Sequence, residues 1–200
     1  MGHIEQKTLD NSLTYSAFRE FVTNALQNDK AALNIKDDYI AYAELNEARL
    51  HRLDKTLKVS EEATTSLKNL TKKYFWIVIS ESWCGDAAQS VPMLNKMAEI
   101  TDKVEMKIVF RDQNLELMDQ FLTNGGRSIP KLVIVEAETL KVLGDWGPRP
   151  AGATKLVADY KAEHGSFDQT GAVELQKWYT KNKGQEVQNE VLELMLSLDK

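Results

Sequence analysis

Residues 74–87 read YFWIVISESWCGDA, and this stretch decides the fold. Its first six residues form a continuous aromatic and β-branched run, which is typical of a strand buried on both faces. Apolar residues at helical spacing then recur from Ala87 to Ile100 and predict a helix. Cys84 therefore lies between a buried strand and the following helix, at the sheet edge where open α/β proteins place their ligand sites.

Cys84 is the candidate reactive residue of the chain. At a helix N-terminus, free backbone N–H groups and the positive end of the helix dipole stabilise a thiolate. Asp86 opposes this effect, because a nearby negative charge disfavours ionisation of a thiol. The sequence alone leaves the net direction of the Cys84 pKa shift open.

The elements after this helix predict a mixed sheet. The next strand spans Val104 to Phe110, and a short helix spans Leu115 to Leu122. Two strands, Lys131 to Glu136 and Thr139 to Trp146, are separated by only about two residues, which forces an antiparallel hairpin. A helix from Ala151 to His164 follows. We therefore predict an α/β fold in which a mixed β-sheet is flanked by helices.

Both flanking regions are predicted to be helical. Before the sheet, apolar spacing from Phe18 to Leu26 indicates one helix, and the cap residues Asp37-Asp38 and Ser60 indicate the starts of two more. After the sheet, helical spacing recurs around Val173 to Lys181 and from Gln185 to Leu198. The fold class therefore includes extra N-terminal and C-terminal helices.

The length of 200 residues suits a single domain. Within it, we expect residues 74–164 to form the α/β core. Residues 1–73 would be a helical extension packed on that core, and residues 165–200 would be C-terminal helices. An alternative for the N-terminal helices is a partner or dimer surface, and the oligomeric state stays open.

The charge distribution argues against two classes of partner. The net charge is -5, and the longest basic cluster is Lys72-Lys73, so we expect no nucleic-acid partner. No apolar run approaches the roughly 20 residues of a membrane span, so we expect no membrane contact. The polar N-terminus lacks the apolar core of a signal peptide, which predicts a cytoplasmic protein.

The cysteine and histidine content argues against a metal site. One cysteine cannot form an internal disulfide or a zinc site of the CxxC type. The three histidines, His3, His51 and His164, are far apart and lack the spacing of metal ligands. We therefore expect neither a metal nor another cofactor.

Three features around Cys84 resemble the thioredoxin superfamily. Trp83-Cys84-Gly85 follows the central strand, Pro92 lies eight residues after Cys84, and Ile129-Pro130 lies 46 residues after it, just before the hairpin. The resemblance implies a thioredoxin-like fold in which Pro130 is a cis-proline that faces Cys84.

Further segments make the resemblance more specific. Residues 81–86, 111–112, 124–130 and 146–150 together look like a bacterial thioredoxin-like branch with a helical N-terminal extension. The resemblance covers residues 74–164 well and the flanks weakly.

The resemblance also implies which residues surround the site. Trp83, Gly85, Asp86, Ile129 and Pro130 would flank the catalytic candidate Cys84. Arg127 and Arg149 lie in loops brought to the same end of the sheet, where they would bind an anionic peptide or the carboxylates of a glutathione-like thiol. The alternative for both arginines is a plain solvated side chain. Trp83 is expected to be a surface aromatic, with a core position as the alternative.

The sequence departs from the family pattern at two positions. Ala87 stands where the resolving cysteine belongs, and Val78 stands where thioredoxins carry a buried aspartate. Cys84 could still attack a disulfide, but an external thiol would have to resolve the mixed disulfide. A self-contained dithiol cycle is therefore excluded.

Two functions of different classes follow from these residues. The leading hypothesis is monothiol exchange at Cys84, with a protein or a low-molecular-weight thiol or disulfide as substrate. The alternative is a non-catalytic thioredoxin-fold module that binds protein in the same groove. Iron–sulfur binding, as in monothiol glutaredoxins, is weaker, because those proteins carry Cys-Gly-Phe-Ser where this chain has Cys84-Gly85-Asp86-Ala87.

Overall fold

A four-stranded mixed sheet with the strand order β2-β1-β3-β4 lies at the centre of the computed structural model, which describes residues 2–200. The strands are β1 (Tyr74–Ser80), β2 (Val104–Phe110), β3 (Lys131–Glu136) and β4 (Val142–Trp146). β1 pairs in parallel with β2 and antiparallel with β3, and β3 pairs antiparallel with β4. The predicted α/β fold class is confirmed.

Strand β1 is the buried centre of the sheet, as its composition predicts. Only Phe75 among its residues is partly exposed. Val78 lies opposite Ile108 of β2 and Leu132 of β3, so apolar side chains form a continuous row across three strands. This burial fixes the register, because a shift of one residue would move every side chain to the other face.

Helix α5 (Gly85–Ala98) begins directly after the loop that follows β1. Cys84 is its N-cap residue, with an extended backbone and a side chain that accepts from the Ala87 backbone N–H. The helix begins two residues earlier than predicted, because the cap is the cysteine itself. Pro92 lies inside the helix.

Within residues 2–73, four helices precede the sheet, and three of them were predicted. They are α1 (Gln6–Asp10), α2 (Tyr15–Asn28), α3 (Asp37–Thr56) and α4 (Glu61–Lys68). The Ser60 hydroxyl caps α4 by accepting from the Ala63 backbone N–H, as the cap signal indicates. Helix α3 packs against α5, and α2 packs against β2.

The remaining helices follow the second strand and the hairpin. They are α6 (Leu115–Met118), α7 (Ala151–His164), α8 (Gln169–Asn182) and α9 (Gln185–Leu198). Helix α9 packs against α4, α5 and β4, while α8 packs against α7. Within residues 2–200, no helix has the length and apolarity needed to cross a membrane.

The predicted boundaries of β4 and α6 are also wrong. Strand β4 begins at Val142 instead of Thr139, because residues 137–140 form a turn in which Leu140 has a φ of 57°. Helix α6 ends at Met118 instead of Leu122, and the Phe121 N–H bonds to the Met118 carbonyl in a tighter turn. Neither change alters the topology, because β3 and β4 still pair as an antiparallel hairpin.

Candidate functional site

The Cys84 side chain is buried and hydrogen-bonded on two sides. The residue is 6% exposed. Its Sγ lies 3.4 Å from the Ala87 backbone nitrogen, which donates to it. The thiol in turn donates to the Ile129 carbonyl oxygen at 3.3 Å. This second bond needs the thiol proton, so the arrangement fits a neutral thiol.

Burial raises the pKa of Cys84 to about 12, and the negative charge of Asp86 adds to the increase. The backbone N–H groups of Ala87 and Asp86 and the charge of Arg149 act in the opposite direction. The helix N-terminus therefore stabilises the thiolate less than burial and the Asp86 charge destabilise it. The sequence leaves the direction of the Cys84 pKa shift open, and in the structure the pKa is raised.

Asp86 joins the start of α5 to two later segments of the chain. Its Oδ2 lies 2.7 Å from Arg149 Nη2, and its Oδ1 accepts from the Tyr179 hydroxyl at 2.8 Å. Arg149 follows β4, and Tyr179 belongs to α8. The carboxylate is buried, and its ion pair and hydrogen bond offset part of the cost of removing its charge from water.

Two cis peptide bonds lie beside this site. One joins Ile129 to Pro130, next to the carbonyl that accepts from Cys84, and the other joins Gly147 to Pro148. Gly147 has a φ of 110°, and a Cβ at this position would overlap the Pro130 carbonyl oxygen. Only glycine therefore fits where the turn after β4 touches the Pro130 loop.

Trp83 is partly exposed and forms part of an aromatic wall. Its ring stacks on Tyr39 of α3 at a centroid distance of 4.6 Å, and the Arg111 guanidinium lies 5.0 Å from its centroid. Arg111 also pairs with Asp112 at 2.8 Å and donates to the Arg127 carbonyl oxygen at 3.3 Å. Trp83 thus flanks the site and is anchored there by a cation–π contact.

The structure pairs both candidate substrate-binding arginines with carboxylates. Arg127 makes two bonds to Asp119, at 2.6 and 2.8 Å. Arg149 is held by Asp86. Both side chains lie at the predicted end of the sheet, but neither presents a free cation to a ligand.

Glu81 is a buried carboxyl near the site that the sequence did not single out. It is 4% exposed, and its Oε1 accepts from the Asp112 backbone N–H at 2.8 Å. Burial raises the pKa of Glu81 to about 7. The only signal in the sequence is an acidic residue directly after the buried strand β1.

A groove with a volume of about 1100 Å³ runs over the motif. Its base includes Trp83, Cys84, Gly85, Asp86, Ile129 and Pro148. One wall is α3, through Tyr39, Tyr42, Leu45 and Arg49; the other is α8, through Val173, Gln176, Lys177 and Lys181. The sequence predicts these helices but not their meeting over Cys84, because they are far apart in the chain.

A metal centre finds no support in the described residues. From residue 2 to the C-terminus, no group of three or more His, Cys, Asp or Glu side chains could hold a metal ion.

Comparison with known proteins identifies the family. The family model described as "Thioredoxin" matches residues 32–161, which is more than half of the chain. The single cysteine lies at the start of α5, beside the loop that holds the cis bond between Ile129 and Pro130. The chain belongs to the thioredoxin family.

Two solved structures share the fold. A protein of unknown function from Pseudomonas aeruginosa is 14% identical, with a TM-score of 0.60, over 92% of this chain and 98% of that one. An HIV epitope scaffold is also 14% identical, with a TM-score of 0.63, over 97% of this chain and 99% of that one. No match is found among curated proteins.

Proposed function

We propose that this protein is a non-catalytic, thioredoxin-fold binding module that holds a segment of a partner protein in the groove over Cys84. The observation that carries this proposal is the state of the cysteine. Its Sγ is buried and donates to the Ile129 carbonyl, and Ala87 stands where a resolving thiol would be needed. Such a residue stabilises the site instead of reacting in it.

Thiol–disulfide exchange has two requirements that this arrangement opposes. The attacking group must be a thiolate, and it must reach a disulfide sulfur. Burial and the Asp86 charge disfavour the thiolate, and at 6% exposure Cys84 leaves little room for an incoming sulfur.

The groove supports a binding role because it exposes apolar side chains. Tyr42 and Leu45 on α3 are each 49% exposed, and Val173 on α8 is 45% exposed. All three line the groove beside Trp83. Exposed apolar groups gathered in one concave, polar-rimmed surface are typical of protein interaction sites.

Monothiol exchange is the second candidate function, and one observation favours it. Cys84 lines the groove, and its Sγ accepts a hydrogen bond from the Ala87 backbone N–H. A modest opening of the Ile129 loop would expose this sulfur to an incoming disulfide. An external thiol would then release the product.

A disulfide-reduction assay with a matched variant separates the two functions. Cys84→Ser keeps an N-cap oxygen that accepts from Ala87 and a hydroxyl that donates to Ile129, so it should fold normally. We expect wild type and Cys84→Ser to show equal, background rates of hydroxyethyl disulfide reduction with glutathione. A Cys84-dependent rate, with a mixed disulfide visible by intact mass, would contradict the binding-module proposal.

Several finer assignments belong to the same proposal. We propose that the chain is one domain of a bacterial thioredoxin-like branch with a degenerate motif, in which residues 1–73 and 165–200 cover the core at 74–164. One hydrophobic cluster with members from Ile4 to Met195 supports the single domain, while α7 and α8 share a second, smaller cluster. We also propose a cytoplasmic location, where a free thiol such as Cys84 persists.

A further inference from the structure

We infer that the groove selects an acidic peptide segment, whose carboxylates bind to Arg49 on one wall and to Lys177 and Lys181 on the other. This inference rests on the proposed binding function and names the chemistry of its ligand. It assigns recognition to α3 and α8, not to Arg127 and Arg149.

The charge of the groove is opposite to that of the chain. The protein has a net charge of -5, yet among residues 2–200 six basic side chains and one acidic side chain, Asp86, line the groove. The six are Arg49, Arg111, Arg127, Arg149, Lys177 and Lys181. A concave surface lined by one sign of charge concentrates ligands of the other sign.

Only half of these cations are available to a ligand. Arg111, Arg127 and Arg149 are paired with Asp112, Asp119 and Asp86. Within residues 2–200, the other three, Arg49, Lys177 and Lys181, have no carboxylate within ion-pair distance. These three side chains define the free basic set of the groove.

Arg49 is held in place over the start of α5. Its Nη1 donates to Asn46 Oδ1 at 2.8 Å, and the buried Asn46 amide donates to the Ser82 carbonyl at 3.0 Å. A Cβ at Gly85 would lie 3.7 Å from Arg49 Nη1 and 3.4 Å from Gln176 Nε2. Arg49 and α8 therefore approach the same point, so a ligand there meets both walls.

Apolar and basic residues follow each other along both walls. On α3, Tyr42, Leu45 and Arg49 share one face at helical spacing. On α8, Val173, Lys177 and Lys181 do the same. A segment that carries acidic side chains next to apolar ones complements this order on both sides.

The shape and charge favour a peptide over other anions. The volume of about 1100 Å³ is at the upper end of small-molecule sites and leaves room for a short peptide segment. The three free cations come from two separate helices. An anionic amphiphile has one charged headgroup and needs only one such site, whereas a peptide with several carboxylates can contact both helices. A nucleic acid needs many phosphate contacts, and the net charge of the chain opposes it.

The test is an affinity selection from a phage-displayed library of random peptides, followed by anisotropy titration of the selected peptides as synthetic fluorescent probes. We expect the selected peptides to be enriched in Asp and Glu beside Leu or aromatic residues. We expect Lys177→Glu/Lys181→Glu to weaken their binding by about tenfold or more. Lys177→Ala/Lys181→Ala should weaken it less.

The matched control is Lys141→Glu/Lys161→Glu, which changes the net charge equally at two exposed positions outside the groove. It should leave affinity within about twofold. The selected peptides could lack acidic enrichment and still bind more weakly to Leu45→Arg than to wild type. That result would overturn the inference and leave the binding-module proposal intact. Selection of no peptide that depends on Leu45 would overturn both.

Discussion

Arg149 Nη2 lies 2.7 Å from Asp86 Oδ2, and this ion pair fixes the charge beside Cys84. The carboxylate raises the pKa of the thiol, while the guanidinium lowers it. Burial is the largest cause of the raised Cys84 pKa, and the Arg149 charge offsets only part of the Asp86 effect. The pair also joins the start of α5 to the turn after β4, so a single contact links the fold to the chemistry of the cysteine.

Asp86→Asn should make Cys84 more reactive and the fold less stable. Loss of the carboxylate leaves the Arg149 charge unbalanced beside the thiol, so the Cys84 pKa falls and alkylation near neutral pH accelerates by about tenfold. The unpaired guanidinium costs about 1–3 kcal/mol of unfolding free energy. Alkylation rates and urea unfolding measure the two effects.

Tyr179→Phe is the matched control for Asp86→Asn. It removes the other hydrogen bond to the same carboxylate but keeps the ion pair with Arg149. It should lower stability by about 1 kcal/mol without accelerating alkylation. Equal acceleration in both variants would mean that loosened structure, not charge, controls Cys84.

Glu81 should make stability depend on pH around neutrality. Its pKa is raised from 4.5 to about 7 in the folded protein by burial. The folded state therefore binds the proton more tightly than the unfolded state. The favourable contribution is complete below pH 4.5 and is lost as the pH rises through about 7.

Glu81→Gln removes this titration and keeps an oxygen that can accept from the Asp112 N–H. As the pH rises from below 4.5 to above 7, wild type should lose on the order of 3 kcal/mol of unfolding free energy relative to the variant. Urea unfolding at several pH values gives the difference. A wild type that gains stability over the variant as the pH rises would refute this account of Glu81.

Gly147→Ala should be strongly destabilising. Gly147 has a φ of 110°, and an added Cβ would overlap the Pro130 carbonyl, which is backbone and cannot move aside alone. We expect a loss of about 3 kcal/mol. Gly125→Ala is the control, since Gly125 also has a positive φ but open space around it, and it should cost about 1 kcal/mol. Equal losses would show that contact with Pro130 is unimportant.

The sequence predicted the sheet and the position of Cys84 because both depend on local patterns. An apolar run of six residues makes β1, and helical spacing makes α5. The start of β4 was missed because Leu140 adopts a positive φ, which its side chain gives no reason to expect. The pKa of Cys84 could not be settled, because burial depends on how the Ile129 loop packs.

The groove and the roles of its arginines could not be predicted from the sequence. The pairing of Arg149 with Asp86, and the approach of α3 and α8 over Gly85, join segments far apart in the chain. No periodicity or motif encodes such contacts. The resemblance predicted that Arg127 and Arg149 lie near Cys84, but it gave no sign that each pairs with a carboxylate, Asp119 or Asp86.

The rate of Cys84 alkylation by iodoacetamide across a wide pH range, read by intact mass, tests the central claim most directly. The chain has a single cysteine, so the same chain unfolded in urea supplies the reference rate. We predict labelling of the folded protein that is slower than this reference at every pH and still rising above the ordinary cysteine pKa of about 8.5. Fast labelling that reaches its plateau below that value would contradict the claim and establish Cys84 as an accessible thiolate.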